Sequence, residues 1–207
     1  MPIEASSERF ETRFGQIFAG ALAEVVGQPQ ANALIKEAGL PELEDSLPDF
    51  DSDLQFSFNS LKRILLVMKQ SYPQRSAQGI TQRTGEASFS PALRAFGPDL
   101  GLTNSSFQLL PLRRKLPEAV AAITALLNEL GLSKASFLQN EEYVQLSVTD
   151  CSLEDKEADS LAHFFTGLLR AALYWVSGGK NFHLQAAKTF TMDEDVCQIH
   201  IPLKPAA

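Results

Sequence analysis

Residues 132 to 149, LSKASFLQNEEYVQLSVT, end the helical period that runs through everything before them. Val144, Leu146 and Val148 alternate with Gln145, Ser147 and Thr149, the pattern of a strand with one buried face. The run 132–139 is also strand-like, and Asn140-Glu141 between the two makes them a hairpin. Toward the carboxyl end, a helix over about 156–176 sets Leu161, Phe164, Phe165, Leu168, Ala172 and Trp175 on one face, and Gly178-Gly179 stops it. Two more strands follow, 182–190 and 196–203. Pairing their apolar sides places Ala186 opposite Ile201, His200 opposite Ala187 and His183 opposite Lys204.

Before residue 132 the spacing is helical. Phe10, Phe14, Ile17, Phe18, Ala21, Leu22 and Val25 form one stripe that Gly27 and Pro29 end. A short helix covers 31–38, and Pro41, Pro48 and a run of acids make 40–53 a solvated connection. The spacing predicts a helix over 54–71, broken at Tyr72-Pro73, another over 74–89, and a new one capped by Ser90-Pro91. Residues 97–106 read as a loop, and Leu116-Pro117 starts an Ala/Leu-rich helix that Gly131 ends. The fold class is α+β: N-terminal helices, then ββαββ, an antiparallel four-stranded sheet covered by helices. The reading is one domain over 1–207, with 1–53 as a helical extension, 54–131 as helices and 132–203 as the sheet with its long helix.

The 207 residues are 44% hydrophobic and 21% charged, as in an ordinary globular chain. Lys+Arg number 18 against 25 Asp+Glu, a net charge of −7 with no basic stripe, which argues against nucleic acid or an anionic membrane as partner. No leader-like amino terminus and no membrane-length apolar run is present, so the expectation is cytoplasmic. Fourteen Phe stand against three Tyr and one Trp. That surplus supplies bulk without hydrogen bonds, either as core or as the lining of an apolar cavity.

Signals of chemistry are sparse. Asp49, Asp51 and Asp53 begin like a calcium loop, but Leu54 and Ser60 occupy the positions that need Gly and Glu. His183 and His200 share a polar sheet face but stand too far apart along the hairpin for one metal. His163 lies off the apolar stripe of its helix. Asp193, Glu194 and Asp195 fit a hairpin turn better than a desolvated catalytic pair. Cys197 faces inward as a structural thiol, and Cys151 and Cys197 permit at most one disulfide. No phosphate loop, GxSxG or HExxH occurs, and no enzyme or cofactor is indicated.

The segment SYPQRSAQGITQRTGEASF (71–89), the Thr149-Asp150-Cys151 strand end, AHFFTGLLRAAL (162–173), the GGK turn (178–180) and VCQIHI (196–201) resemble 4-vinyl reductase domains, also called hydrocarbon-binding domains. The resemblance spans roughly 60 to 203. It implies a helix-covered antiparallel sheet of the TRAPP-like kind, frequent dimers, ligand sensing, and links to bacteriochlorophyll synthesis. Where that family binds zinc, this chain has Ala162 or His163, then Thr189, then Cys197. Two such ligands do not hold zinc, so no metal is expected. No nicotinamide or flavin fingerprint supports the reductase name.

The expected function is therefore non-enzymatic binding of a small hydrophobic molecule by a stand-alone sensor, carrier or accessory protein. A ligand-free homodimeric scaffold is the alternative, and an accessory role in tetrapyrrole synthesis a third. The pocket is expected where both layers converge, lined by Phe89, Phe107, Phe137, Phe165 and Trp175 with Tyr143 or Tyr174 as polar anchor. The surplus of amphipathic helix predicts a homodimer seam on 54–72.

Overall fold

The computed structural model describes residues 4–40, 56, 58–129, 135–149, 160–190 and 195–206. Helix α1 (Glu4–Val26) turns its Phe14, Phe18, Ala21 and Leu22 face inward, and Gly27 at φ 86° ends it and caps α2 (Gln28–Glu37). Helix α3 (Phe58–Ser71) buries Leu61, Ile64, Leu65 and Met68 completely. Helix α3 packs against α2, α4 and α7.

Helix α4 runs unbroken from Gln74 to Phe96, through the Ser90-Pro91 pair expected to begin a new helix. Proline inside a helix costs about 3 kcal/mol through its missing N–H and ring clash. Phe89, Ala92 and Phe96 flank it and are buried, and each phenylalanine gains about 1.5–3 kcal/mol by burial, which offsets that cost. The same override operates in α6 (Leu112–Glu129), which begins one turn before the expected Leu116-Pro117 start. Buried Leu116, Val120, Ile123 and Leu127 fix α6 in place, with Pro117 itself buried in the interior. A four-residue helix, α5 (Ser105–Gln108), begins in the last two residues of the stretch read as loop and carries Phe107, just beyond it, inward.

Strands β1 (Ala135–Gln139) and β2 (Tyr143–Thr149) form the hairpin, closed by the Asn140 side chain, which accepts the amides of Glu142 and Tyr143 at 2.8 Å each. After α7 (Ser160–Val176) come β3 (Gln185–Phe190) and β4 (Asp195–Pro202), and all neighbours pair antiparallel in the order β1-β2-β4-β3. The α+β class holds. Val144, Leu146 and Val148 share the inner face with Cys197, Ile199 and Ile201 under α6 and α7. The β3/β4 register differs from expectation by two residues: Ala186 faces Ile199 and His200 faces Gln185. The apolar pattern fixes only parity, which is kept, whereas the loop length fixes register. Phe190 pairs with Asp195, so the turn is tighter than apolar matching demanded.

Helices α4 and α7 meet backbone to backbone. A Cβ at Gly85 would collide with the Phe164 carbonyl oxygen, and one at Gly167 with the Gln82 carbonyl oxygen. The hydroxyls of Thr84 and Ser88 donate to the Ile80 and Thr84 carbonyls of their own helix at 2.9 and 2.8 Å, which lets them sit in this contact satisfied.

The expected acidic connection at 40–53 and its Asp49, Asp51 and Asp53 lie almost wholly outside the described residues, as do Cys151 and the turn residues Asp193 and Glu194. No helix among the described residues is long and apolar enough to cross a membrane.

Candidate functional site

Past the glycine crossing, α4 and α7 border a groove of about 780 Å³. Glu86, Phe89 and Ser90 form one wall, at the one-turn spacing that puts them on one helix face. Arg170, Ala171, Tyr174 and Trp175 of α7 form the other, and Gly178, Gly179 and Asn181 close the end. That end is a Schellman turn: the Gly178 amide donates to Trp175 O at 3.2 Å and the Gly179 amide to Tyr174 O at 2.8 Å. Both glycines have positive φ, 70° and 100°, which only glycine adopts readily. A second groove of about 390 Å³ adjoins it, lined by Gln108, Leu112, Lys115, Val176, Ser177 and Lys180 and sharing Trp175 and Gly178 with the first.

Trp175 stands between the two. Its ring lies 6.0 Å from Phe89 at 55° and 6.1 Å from Phe107 at 9°, so Phe107 stacks on it while Phe89 tilts. Lys115 Nζ sits 5.7 Å from the Phe107 ring centroid and donates to the Gln108 carbonyl at 2.7 Å. At the rim of the larger groove Arg170 Nη1 lies 3.7 Å from Glu86 Oε1, an exposed pair that contributes little to stability. Tyr174 is 54% exposed and leans over Gly179.

Of the seven aromatic residues singled out from sequence, Phe89, Phe107, Tyr174 and Trp175 gather at these grooves. The other three do not. Phe165 is 1% exposed and packs edge-on against Phe164 at 5.7 Å, within a cluster that also holds Phe14, Phe18 and Phe56. Tyr143 lies on the outer sheet face beside His200, ring centroids 5.0 Å apart, because β2 alternates and its even positions face inward. Phe137 shares the inner parity, paired with Leu146, but edge strand β1 leaves it 43% exposed. The sheet therefore contributes nothing to the groove. Arg170, Lys115 and the glycine turn were missed as site residues, although Arg170, Ala171, Tyr174 and Trp175 form a one-turn stripe visible in the sequence.

Among the degenerate zinc positions, Cys197 is buried across from Val148 and Lys188, Thr189 pairs with Val196, and His163 is half-buried on α7. Among the described residues no three of His, Cys, Asp and Glu come together as a metal site would require.

No family model matches the chain, and no curated protein matches it in sequence. Solved structures with the same fold are H-NOX domains. A mutant H-NOX of T. tengcongensis is 10% identical over 95% of this chain and 100% of its own, with a TM-score of 0.62. An H-NOX structure described as probing heme distortion in that family is 11% identical over 95% and 97%, with a TM-score of 0.63. An oxygen-binding H-NOX domain related to soluble guanylate cyclases is 11% identical over 92% and 95%, with a TM-score of 0.57. At such identity the likeness concerns the fold. It also corrects the resemblance to 4-vinyl reductase and TRAPP-like proteins, whose helix-and-sheet order is matched here by H-NOX domains instead. The expected tetrapyrrole-synthesis role rested on that resemblance and falls with it.

A heme needs an axial His, Cys, Met or Tyr facing a cavity of its own size. Met68 and Cys197 are locked in the packed core, His163 is half-buried on α7 and lines neither groove, His183 is exposed, and His200 lies against Tyr143 on the sheet's outer face. No His, Cys or Met lines either groove, and the tyrosine that does, Tyr174, is 54% exposed at the rim of the larger one. Where the helices converge inside, Phe14, Phe18, Phe56 and Phe164 fill the space at ring separations of 5.6–6.4 Å. The described residues do not fit a heme.

Proposed function

We propose that this protein is a non-enzymatic binding module for a small apolar molecule, seated in the groove between α4 and α7, and that residues 1–207 serve it as one domain acting as sensor, carrier or accessory protein. The observation that carries this reading is the convergence of Phe89, Tyr174 and Trp175 on one groove of about 780 Å³, with Phe107 stacked behind Trp175, a volume within the size range of small-molecule sites. The apolar floor of Phe89, Ala171 and Trp175 supplies affinity, and Ser90, Asn181 and the Tyr174 hydroxyl supply orientation. Small-molecule binding also occurs on this fold in the oxygen-binding H-NOX domain.

Trp175 is the sole tryptophan, so its emission reports the site directly. Titration with 4-phenylbutan-1-ol should shift or quench that emission saturably in the wild-type protein and fail to do so in Phe89→Ala. A flat titration would remove the reading. The ligand-free scaffold is the second reading, favoured by the completely filled phenylalanine interior, and a flat titration is what it requires.

A further inference from the structure

Resting on the groove between α4 and α7 as a ligand site, we infer that its ligand is an amphipathic anion: an apolar or aromatic body against Trp175, with a carboxylate that reaches over the glycine turn to Lys115 and Lys180. The two grooves share only Trp175 and Gly178. A Cβ built on Gly178 would meet nothing within 4 Å, so the passage between them is open backbone. A molecule lying on Trp175 in the larger groove therefore has a path into the smaller one.

The chemistry differs on the two sides. The larger groove has an aromatic floor, and its one cation, Arg170, is answered by Glu86 at 3.7 Å. The smaller groove contains Lys115 and Lys180 and no acidic residue. Lys180 is exposed, and among the described residues its ammonium has neither ion pair nor hydrogen bond. Lys115 uses one donor on the Gln108 carbonyl, leaving two. On a chain with net charge −7, a groove with two cations and no anion departs from the average surface, and Arg113-Arg114 next to Lys115 adds to the local positive potential. An uncharged ligand would leave the Lys180 ammonium with no protein partner among the described residues and Lys115 with the Gln108 carbonyl, whereas a carboxylate pairs with both through charge-assisted bonds.

The test compares 4-phenylbutyrate with 4-phenylbutan-1-ol, which share the body and differ in the head group. Trp175 emission should report phenylbutyrate binding about tenfold tighter at low salt, with the preference shrinking as salt rises. In the Lys115→Gln/Lys180→Gln variant the two should bind equally. Lys180 is exposed, so Lys180→Gln alone, expected to weaken the preference in part, is a second variant beside the half-buried Lys115, and the wild-type salt series tests the inference without any substitution. Equal affinities in the wild type, or a preference that survives the double substitution, would overturn the anion assignment while leaving the groove intact. Failure of both compounds to perturb Trp175 would overturn the groove itself.

Discussion

Two groups of aromatic rings in this protein share a residue type and differ in what surrounds them. In the interior, Phe14, Phe18, Phe56, Phe164 and Phe165 are each at most 1% exposed and touch ring to ring, so every face meets another side chain. At the far end of α4 and α7, Phe89, Phe107 and Trp175 also touch, yet one side of the stack opens on a groove. Helix α7 supplies rings to both groups, Phe164 and Phe165 to the first and Trp175 to the second. Gly85 and Gly167 hold α4 and α7 in backbone contact, and one to two turns farther along the same helices Phe89 and Trp175 border open space. Aromatic enrichment alone therefore does not distinguish core from site, and the geometry of the crossing does.

The sharpest way to break this contrast is at the crossing. Gly167→Leu forces a side chain into the Gln82 carbonyl, so the expected loss exceeds ~4 kcal/mol, read as failure to give a cooperative thermal transition. Retention of a native-like melt would show that the contact is not tight. Next comes Phe164→Ala, which empties a site enclosed by Phe14, Phe18 and Phe165 and should cost about 3–5 kcal/mol in denaturant unfolding. Phe89→Ala should cost less, about 1.5–3 kcal/mol, the transfer term of its buried ring without the further cost of a sealed cavity, because the space left opens on the groove. Smallest is Tyr174→Ala, expected within about 0.5 kcal/mol of wild type for so exposed a side chain. Should Phe89 prove as costly as Phe164, the groove would be core after all.

Much of this architecture was legible in the sequence. The alternation of Val144, Leu146 and Val148, the glycine stop at 178–179 and the inward Cys197 all reappear, because each depends on local period or on a backbone need that only glycine meets. Pro91 and Pro117 misled, since a proline's local cost was weighed without the burial of Phe89, Phe96 and Leu116 that outweighs it. The site was half legible. Phe165 and Trp175 lie on one helical stripe ten residues apart, and nothing in the periodicity says that the Gly85–Gly167 crossing puts one in a sealed interior and the other beside a groove. Tyr143 was excluded by the very alternation that identified its strand.

The most direct measurement of the central claim titrates 4-phenylbutan-1-ol into Phe165→Ala and Phe89→Ala side by side, reading Trp175 emission at a temperature where both are folded. Phe165→Ala should be less stable by about 3–5 kcal/mol and bind like the wild type, whereas Phe89→Ala should be the more stable of the two and lose binding. Loss of binding in Phe165→Ala with retention in Phe89→Ala would place the ligand in the interior and contradict the account.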